Sequence, residues 1–214
     1  MIVTVGNTKG GVGKTTLALN IAIARAMLGK EVWLIDGDRQ KTSLTAISIR
    51  SDSGKKPEIA CANYSDGRTL LSQVKLQQPK FEDIIIDVGG QDSSAFRAAL
   101  MITDVLIVPI QPRSFDVWSL ENIGVLIGEA RSVRNGLRTC VLLNLADPGK
   151  SLDNVQAIEI LKNIGELEYI NTIICKRKAF SNAAGQGLSV LEVKPPDKKA
   201  VEELKTLLFA VYSE

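Results

Sequence analysis

Ile2-Val3-Thr4-Val5-Gly6-Asn7-Thr8-Lys9-Gly10-Gly11-Val12-Gly13-Lys14-Thr15-Thr16 is the stretch from which the rest of the chain is read. Ile2 to Val5 are apolar or β-branched and predict a buried strand. A glycine-rich turn follows, then a lysine with two hydroxyl residues, then Leu17, Ile21, Ala24 and Leu28 at helical spacing. Strand, glycine loop, lysine-hydroxyl and helix are the layout of a phosphate-binding loop. Its glycines let backbone N–H groups converge on phosphate oxygens, and the helix aims the positive end of its dipole at the same place. Lys14 adds a full charge near the outer phosphates, and the Thr15 hydroxyl suits a Mg²⁺ ion.

The loop departs from the plain G-x-x-x-x-G-K-[ST] pattern at one position and adds a charge at another. Thr8 stands where that pattern has glycine, and Lys9 puts a second lysine five residues before Lys14. Two nearby ammonium groups repel unless much negative charge lies between them. Phosphates of two bound nucleotides, or one nucleotide shared across a dimer, would supply it. A ligand-free glycine turn between strand and helix is the plainer alternative. Two lysines, three glycines and two threonines in eight residues, in this strand–helix setting, favour the phosphate loop.

Composition narrows the chemistry. The chain has 214 residues, the length of a single α/β domain. Aromatic residues are 5%, which argues against a stacking platform for single-stranded nucleic acid. There is no histidine, so histidine triads, histidine bases and histidine-ligated metals are excluded. Cys61, Cys140 and Cys175 are far apart with no C-x-x-C pair, and read as small core residues in a reducing compartment. The start runs straight into the glycine loop without the basic region of a signal peptide. No apolar run reaches membrane-spanning length, and a cytoplasmic protein is expected.

Beyond the first helix, short apolar runs alternate with helical segments. Strands are predicted at 32–35, 59–62, 81–88, 104–110, 137–143 and 169–174. Helices are predicted at 40–50, from an Asp66 cap to about 76, and at 93–102, 115–133, 151–163, 179–185 and 197–212. Continuous Val- and Ile-rich strands alternating with helices imply an α/β fold of the P-loop NTPase kind. It would be one domain over 1–214, with a mostly parallel twisted sheet covered by helices on both faces. Ligands of such sheets bind at the carboxyl ends of the strands.

Two strands end in carboxylates at that edge, in Asp36-Gly37-Asp38-Arg39-Gln40 and Asp87-Val88-Gly89-Gly90. These are the positions from which a Mg²⁺ ion and an attacking water are held beside a phosphate loop. Asp87 suits an outer-shell Mg²⁺ ligand, with Gly89 and Gly90 free to move as the γ-phosphate leaves. Asp36 is the expected group for the metal and for orienting water, and Asp38 the link from nucleotide state to the following segment. Either aspartate alone reads equally well as a strand-end turn former.

At this point a family resemblance is plain. NTKGGVGKTT (7–16) resembles the deviant Walker A motif of the ParA/MinD ATPases, VWLIDGDRQ (32–40) their D-x-D-P-Q segment, and IIIDVGG (84–90) their Walker B strand. The likeness extends through DVLIVPIQP (104–112), LLNLAD (142–147), GLSVLE (187–192) and PPDKKAVEEL (195–204), and so spans nearly the whole chain. It implies an ATP- and Mg²⁺-dependent homodimer with two nucleotides sandwiched between subunits. Lys9 would be the lysine that reaches the partner's phosphates, which resolves the charge problem in the loop. The nucleotide would be held by Lys9, Gly10, Gly11, Val12, Gly13, Lys14, Thr15 and Thr16. Asn144 and Pro196 would lie at the adenine. Lys9, Lys14, Asp36, Asp38 and Asp87 would serve hydrolysis, with Thr15, Asp36 and Asp87 at the metal. Arg39 replaces the usual proline, so the segment after Asp38 is expected to move differently.

Short ParA-type partition proteins are the nearest match in kind. The start of the sequence at the loop strand gives no support to a sequence-specific operator-binding extension. Membrane targeting as in MinD would need a basic amphipathic C-terminal helix, and 201–214 carries Lys205 against Glu202, Glu203 and Glu214. Lys176, Arg177, Lys178, Lys194, Lys198 and Lys199 face only Glu192 and Asp197 within their window. On the residues alone that is a solvated surface; the resemblance makes it a face for nonspecific duplex DNA. Arg177 and Lys178 are the first choices there, Lys198 and Lys199 the second. The resemblance thus implies a nucleoid-associated ATPase of a bacterium or archaeon. It would position a plasmid, chromosome or other cargo, with a ParB-like adaptor stimulating slow hydrolysis. A non-DNA scaffold or maturation ATPase using the same dimer switch is the alternative. A ligase or amidotransferase relative is a third reading, disfavoured by Lys9.

Overall fold

The computed structural model describes residues 1–112, 117–149 and 151–212. Seven strands form one sheet in the order β3-β2-β4-β1-β5-β6-β7. They are β1 (Ile2–Val5), β2 (Val32–Asp36), β3 (Ala60–Asn63), β4 (Asp83–Asp87), β5 (Val105–Ile110), β6 (Arg138–Ala146) and β7 (Glu168–Cys175). Every neighbouring pair is parallel. The α/β reading is therefore correct, and no strand in the described sheet runs antiparallel.

The side-chain period of two sends alternate residues of each strand to opposite faces. Ile84 and Ile86 of β4, with Leu106 and Val108 of β5, enter one core. Val3 and Val5 of β1, Ile85 of β4 and Ile107 of β5 enter the other. The first core is covered by α3 (Gly67–Gln77), α4 (Ser94–Leu100), α5 (Val117–Val133) and α6 (Leu152–Lys162). The second is covered by α1 (Lys14–Met27), α2 (Thr42–Asp52), α7 (Lys178–Ala184) and α8 (Lys198–Tyr212). Apolar burial on both faces explains why the strands read as unbroken Val/Ile runs.

Local signals place most ends correctly. Asp66 caps α3 by accepting from Thr69 N at 2.9 Å, and Ser93 caps α4 by accepting from Phe96 N at 3.1 Å. Ser151 precedes α6 without such a bond. Of the helix predicted over 115–133, Phe115 and Asp116 lie outside the described residues. The strand predicted to end at Leu143 continues to Ala146, so Asn144 sits inside β6. Its pairing with β7, Asn144 to Ile174 and Ala146 to Cys175, carries the ladder through it.

The last helix packs as a core element. Leu204, Leu207 and Val211 are buried, while Arg25 of α1 stacks over the Tyr212 ring at 4.0 Å. No helix among the described residues is long and apolar enough to cross a membrane. The three cysteines are free thiols. Burial pushes Cys61 and Cys140 up to about 12, so both stay protonated and unreactive at neutral pH.

Candidate functional site

The chain turns from β1 into α1 through Gly6–Gly13. Gly13 has φ 85 at the helix N-terminus, and Gly11 has φ 75. A Cβ on Gly13 would also lie 2.3 Å from Asn144 Nδ2, so glycine is required there twice over. At Gly10 and Gly11 a Cβ would meet nothing within 4 Å, leaving the backbone of the cradle open toward a ligand.

Neighbouring strands hold this loop in shape. Asn7 Nδ2 donates to Pro109 O at 2.8 Å, and Asn7 Oδ1 accepts from Lys9 N at 2.9 Å. Asn144 Nδ2 donates to Val12 O at 2.7 Å, and Gln111 Nε2 to Gly11 O at 2.8 Å. Lys14 Nζ donates to Lys9 O at 2.8 Å, which folds the ammonium back into the loop. Burial pushes the Lys14 amine down, and Asp87 and Asp38 oppose that by favouring its charged form. An anion at this loop would be met by a cation already poised and partly desolvated.

Asp36 and Asp87 are directly opposed on β2 and β4. Their surroundings give them different work. Asp36 is fully buried; its Oδ1 accepts from Asp38 N at 3.0 Å and its Oδ2 from Leu44 N at 3.0 Å. Leu44 lies in the first turn of α2, where the residue before the helix makes no side-chain cap. Asp36 thus serves as the acid at that helix N-terminus. Desolvation pushes its carboxyl up, against the hydrogen bonds that favour the ionised form. Asp38 is half-buried and lines the cavity, with Oδ1 accepting from Gln40 N at 3.0 Å. A Cβ on Gly89 would stand 3.1 Å from Asp38 Oδ2, so Asp38 overhangs the turn after β4. Both Asp36 oxygens are thus engaged by backbone donors, while Asp38 stands on the cavity wall.

Asp87 is buried, and Ser43 Oγ donates to its Oδ2 at 2.7 Å. Its Oδ1 is buried with no hydrogen-bond partner, although the Thr15 hydroxyl is close enough to favour the ionised form. Desolvation raises its carboxyl to about 7. An unsatisfied buried carboxylate oxygen beside a hydroxyl is a donor set that a hydrated divalent cation completes. The residues fit a magnesium-nucleotide: Thr15 as a direct ligand, Asp87 through water, and the open glycine backbone around the phosphates.

A cavity of about 800 Å³ lies over the loop. Gly10, Gly11, Gly13, Lys14, Thr15 and Thr16 line it from below, and Asp38, Arg39 and Gln40 from one side. Gly89 and Gly90 close another wall, and a Cβ on Gly90 would stand 2.7 Å from Gly10 Cα. The turn after β4 rests directly on the phosphate loop. Lys9 is not among the cavity walls, and Val12 is buried beneath the loop.

The surroundings of Asn144, Pro196 and Arg177 differ from one another. Asn144 is buried and donates its amide to Val12 O, so it braces the loop. Pro196 is exposed and outside the cavity walls. Arg177 bonds Glu203 of α8 through Nε at 3.0 Å and through NH2 at 2.7 Å, with both side chains largely buried. It ties α8 to the end of β7, where Glu203 also accepts from Cys175 N at 3.1 Å, and is not a surface cation. Lys178, Lys198 and Lys199 are exposed as expected, as are Lys176 and Lys194. Glu192 leaves that surface's charge balance, because Arg50 binds it through two 2.9 Å hydrogen bonds.

Ser43, Asn7 and Asn63 carry no signal of their own in the sequence. Asn63 Nδ2 reaches Asp36 O at 2.9 Å and Asp38 O at 2.7 Å, fixing the turn between the aspartates. Asn63 is legible only as the end of a short strand. Ser43 is legible only as part of a helix start.

The comparisons with known proteins agree with this geometry. Residues 3–190 match the family described as the CobQ/CobB/MinD/ParA nucleotide binding domain. The chain is 28% identical over 207 residues to maintenance of carboxysome distribution protein A of Halothiobacillus neapolitanus, covering 95% of this chain and 93% of that protein. It is 24% identical over 240 residues to sporulation initiation inhibitor protein Soj of Bacillus subtilis, covering 93% of each. Among solved structures, the Cyanothece McdA(D38A)-ATP complex superposes with a TM-score of 0.78 at 16% identity, over 98% of this chain and 95% of that one. The chain belongs to the CobQ/CobB/MinD/ParA family of nucleotide-binding proteins, and within it resembles the ParA/MinD-type positioning ATPases.

Proposed function

We propose that this protein is an ATP-hydrolysing, nucleotide-dependent homodimer that positions a large cargo along DNA. The observation that carries the reading is the double-lysine loop. Lys14 folds back over its own loop, onto Lys9 O, while Lys9 stands outside the walls of the cavity Lys14 serves. A second ammonium so close is best used on phosphates of a facing subunit. Relatives named for carboxysome distribution and as Soj support cargo positioning as the output.

Within that reading, Gly10 to Thr16 hold the phosphates, Thr15 and Asp87 the metal, and Asp38 orients the attacking water. Mg²⁺, when bound, would neutralise charge on the outer phosphates. Asp36 and Asn63 hold the Asp38 turn in place. Arg39 sits on the cavity wall and adds a cation where relatives of the D-x-D-P-Q pattern have proline. Exposed Lys176, Lys178, Lys194, Lys198 and Lys199 form the face for duplex DNA, doubled in the dimer. A ParB-like adaptor on the cargo stimulates hydrolysis and releases the dimer, leaving the protein on the nucleoid only while ATP is held.

Two measurements test it together. Binding to an arbitrary 60-base-pair duplex should require ATP and fall steeply with salt, since each neutralised phosphate contributes a slope of about −0.9. Lys9→Ala should hydrolyse ATP at a small fraction of the wild-type rate while still binding nucleotide. DNA binding indifferent to nucleotide would remove the positioning role, and full turnover in Lys9→Ala would remove the cross-subunit lysine.

A further inference from the structure

On the sheet face opposite the lysine surface, a groove of about 550 Å³ runs between α5 and the turn that joins α6 to β7. Its floor and rim are aliphatic: Val125 is 60% exposed and Ile160 44% exposed, with Ile164 and Leu167 beneath. Gly124 and Gly128 lie one helical turn apart on α5 and leave its backbone bare along the groove. At Gly128 a Cβ would meet nothing within 4 Å, and at Gly124 only the Glu166 carboxylate. No packing need among the described residues explains an exposed helical glycine at Gly128, which costs about 1 kcal/mol relative to alanine.

The charges lining the groove have one sign. Glu121 on α5 and Glu166 on the opposite turn are both exposed, and no basic residue among the described residues lines the groove. Among the described residues no β-strand residue contributes to its walls, so an added strand has no edge to pair with there. An aliphatic floor, a bare helix backbone and two flanking carboxylates suit a short helix with an apolar face and basic ends. A second copy of this chain fits less well, because a symmetric contact would bring carboxylates of the same rim together.

We propose that this groove docks an amphipathic, lysine- or arginine-flanked helix of the protein that carries the cargo. Only the words "that carries the cargo" rest on the positioning role; the groove's chemistry stands apart from it. With DNA on the α7–α8 face and the helix on the α5–α6 face, one protomer holds both partners at once.

The test uses the full chain without nucleotide or DNA. The probes are two fluorescent 16-residue designed helices with the same Leu/Ile face, one ending in lysines and the other in glutamates. The lysine-ended peptide should bind at least ten-fold tighter and weaken with salt. Gly128→Leu, which fills the groove, should abolish that binding while leaving ATP binding unchanged and thermal stability no lower than wild type. Glu121→Lys with Glu166→Lys should reverse the preference between the peptides. Equal affinity for the two peptides, or binding that survives Gly128→Leu, overturns the proposal. So does sedimentation showing nucleotide-free self-association that Gly128→Leu removes, which assigns the groove to a second copy. Loss of DNA binding or ATP turnover would strike the positioning role and leave these outcomes untouched.

Discussion

Ser43 Oγ donates a 2.7 Å hydrogen bond to Asp87 Oδ2, joining the first turn of α2 to the end of β4. It satisfies one oxygen of this buried carboxylate and leaves Oδ1 without a partner. Ser43→Ala should lower apo stability by about 1.5–3 kcal/mol, the scale of a buried hydrogen bond to a charged group. That loss should be larger in saturating Mg²⁺ and ATP, because a variant that binds magnesium-nucleotide more weakly gains less stability from it by mass action. Denaturant titrations with and without magnesium-nucleotide measure both effects. Equal losses in the two conditions would disconnect Ser43 from the metal site.

Asp87 also sets a pH dependence. Its ordinary value is 3.8 and its folded value about 7, so the folded protein holds this proton more tightly than the unfolded chain. The stabilising contribution is complete below about pH 4 and is lost as pH rises toward 7. Apo stability should therefore fall between about pH 4 and 7, and Asp87→Asn should flatten that slope. Magnesium-nucleotide affinity should run the other way, rising with pH as the carboxylate ionises. Thermal scans and binding titrations across the range check the two opposite slopes.

Asn144 and Gly13 form a matched pair across the loop. Asn144→Ala removes the bond to Val12 O and opens space beside Gly13. Nucleotide affinity should fall about ten-fold, the equivalent of 1.4 kcal/mol, with the fold intact. Gly13→Ala should fail more severely, because the new methyl meets Asn144 Nδ2 in a backbone at φ 85. Gly13→Ala combined with Asn144→Ala should recover part of the lost binding. Calorimetric titration of ADP into the three variants measures the coupling.

Much of the architecture is legible in the sequence because its determinants are local. The Asp66 cap needs only Thr69, and β4 announces itself as three consecutive isoleucines ending in Asp87. What is not legible depends on distant partners. Asn144 acts on Val12, 132 residues away, and a sequence offers no reason to prefer that carbonyl to a ligand. Arg177 reads as one more cation in a basic window until α8 brings Glu203 against it. Asp36 and Asp38 are two residues apart in a motif that accommodates either role. They separate only when α2 and Asn63 close around the first and leave the second on the cavity wall.

The lysine surface gives a contrast that sequence could not draw. Lys178→Ala with Lys198→Ala and Lys199→Ala should weaken duplex DNA uniformly across sequences. It should also make the salt slope shallower by about 0.9 for each phosphate that is no longer neutralised. Arg177→Ala should instead destabilise the fold, because it strands the largely buried Glu203 carboxylate. Its DNA affinity, measured well below its melting temperature, should stay near wild type. A large affinity loss in a stably folded Arg177→Ala protein would return that arginine to the DNA face.

Asp36 and Asp38 should part company in the same manner at the nucleotide. Asp38→Ala should fold normally, bind ATP and turn it over at a small fraction of the wild-type rate, since its carboxylate borders the cavity. Asp36→Ala should be compromised before nucleotide is added. It leaves Asp38 N and Leu44 N without their acceptor and removes the acid at the start of α2. Asp36→Asn offers one carbonyl oxygen where two carboxylate oxygens each accepted a bond, so it should restore only part of that stability. Hydrolysis per folded molecule should therefore be nearer wild type in Asp36→Asn than in Asp38→Asn. The reverse order, at equal folded fractions, would give the water-orienting role back to the buried aspartate.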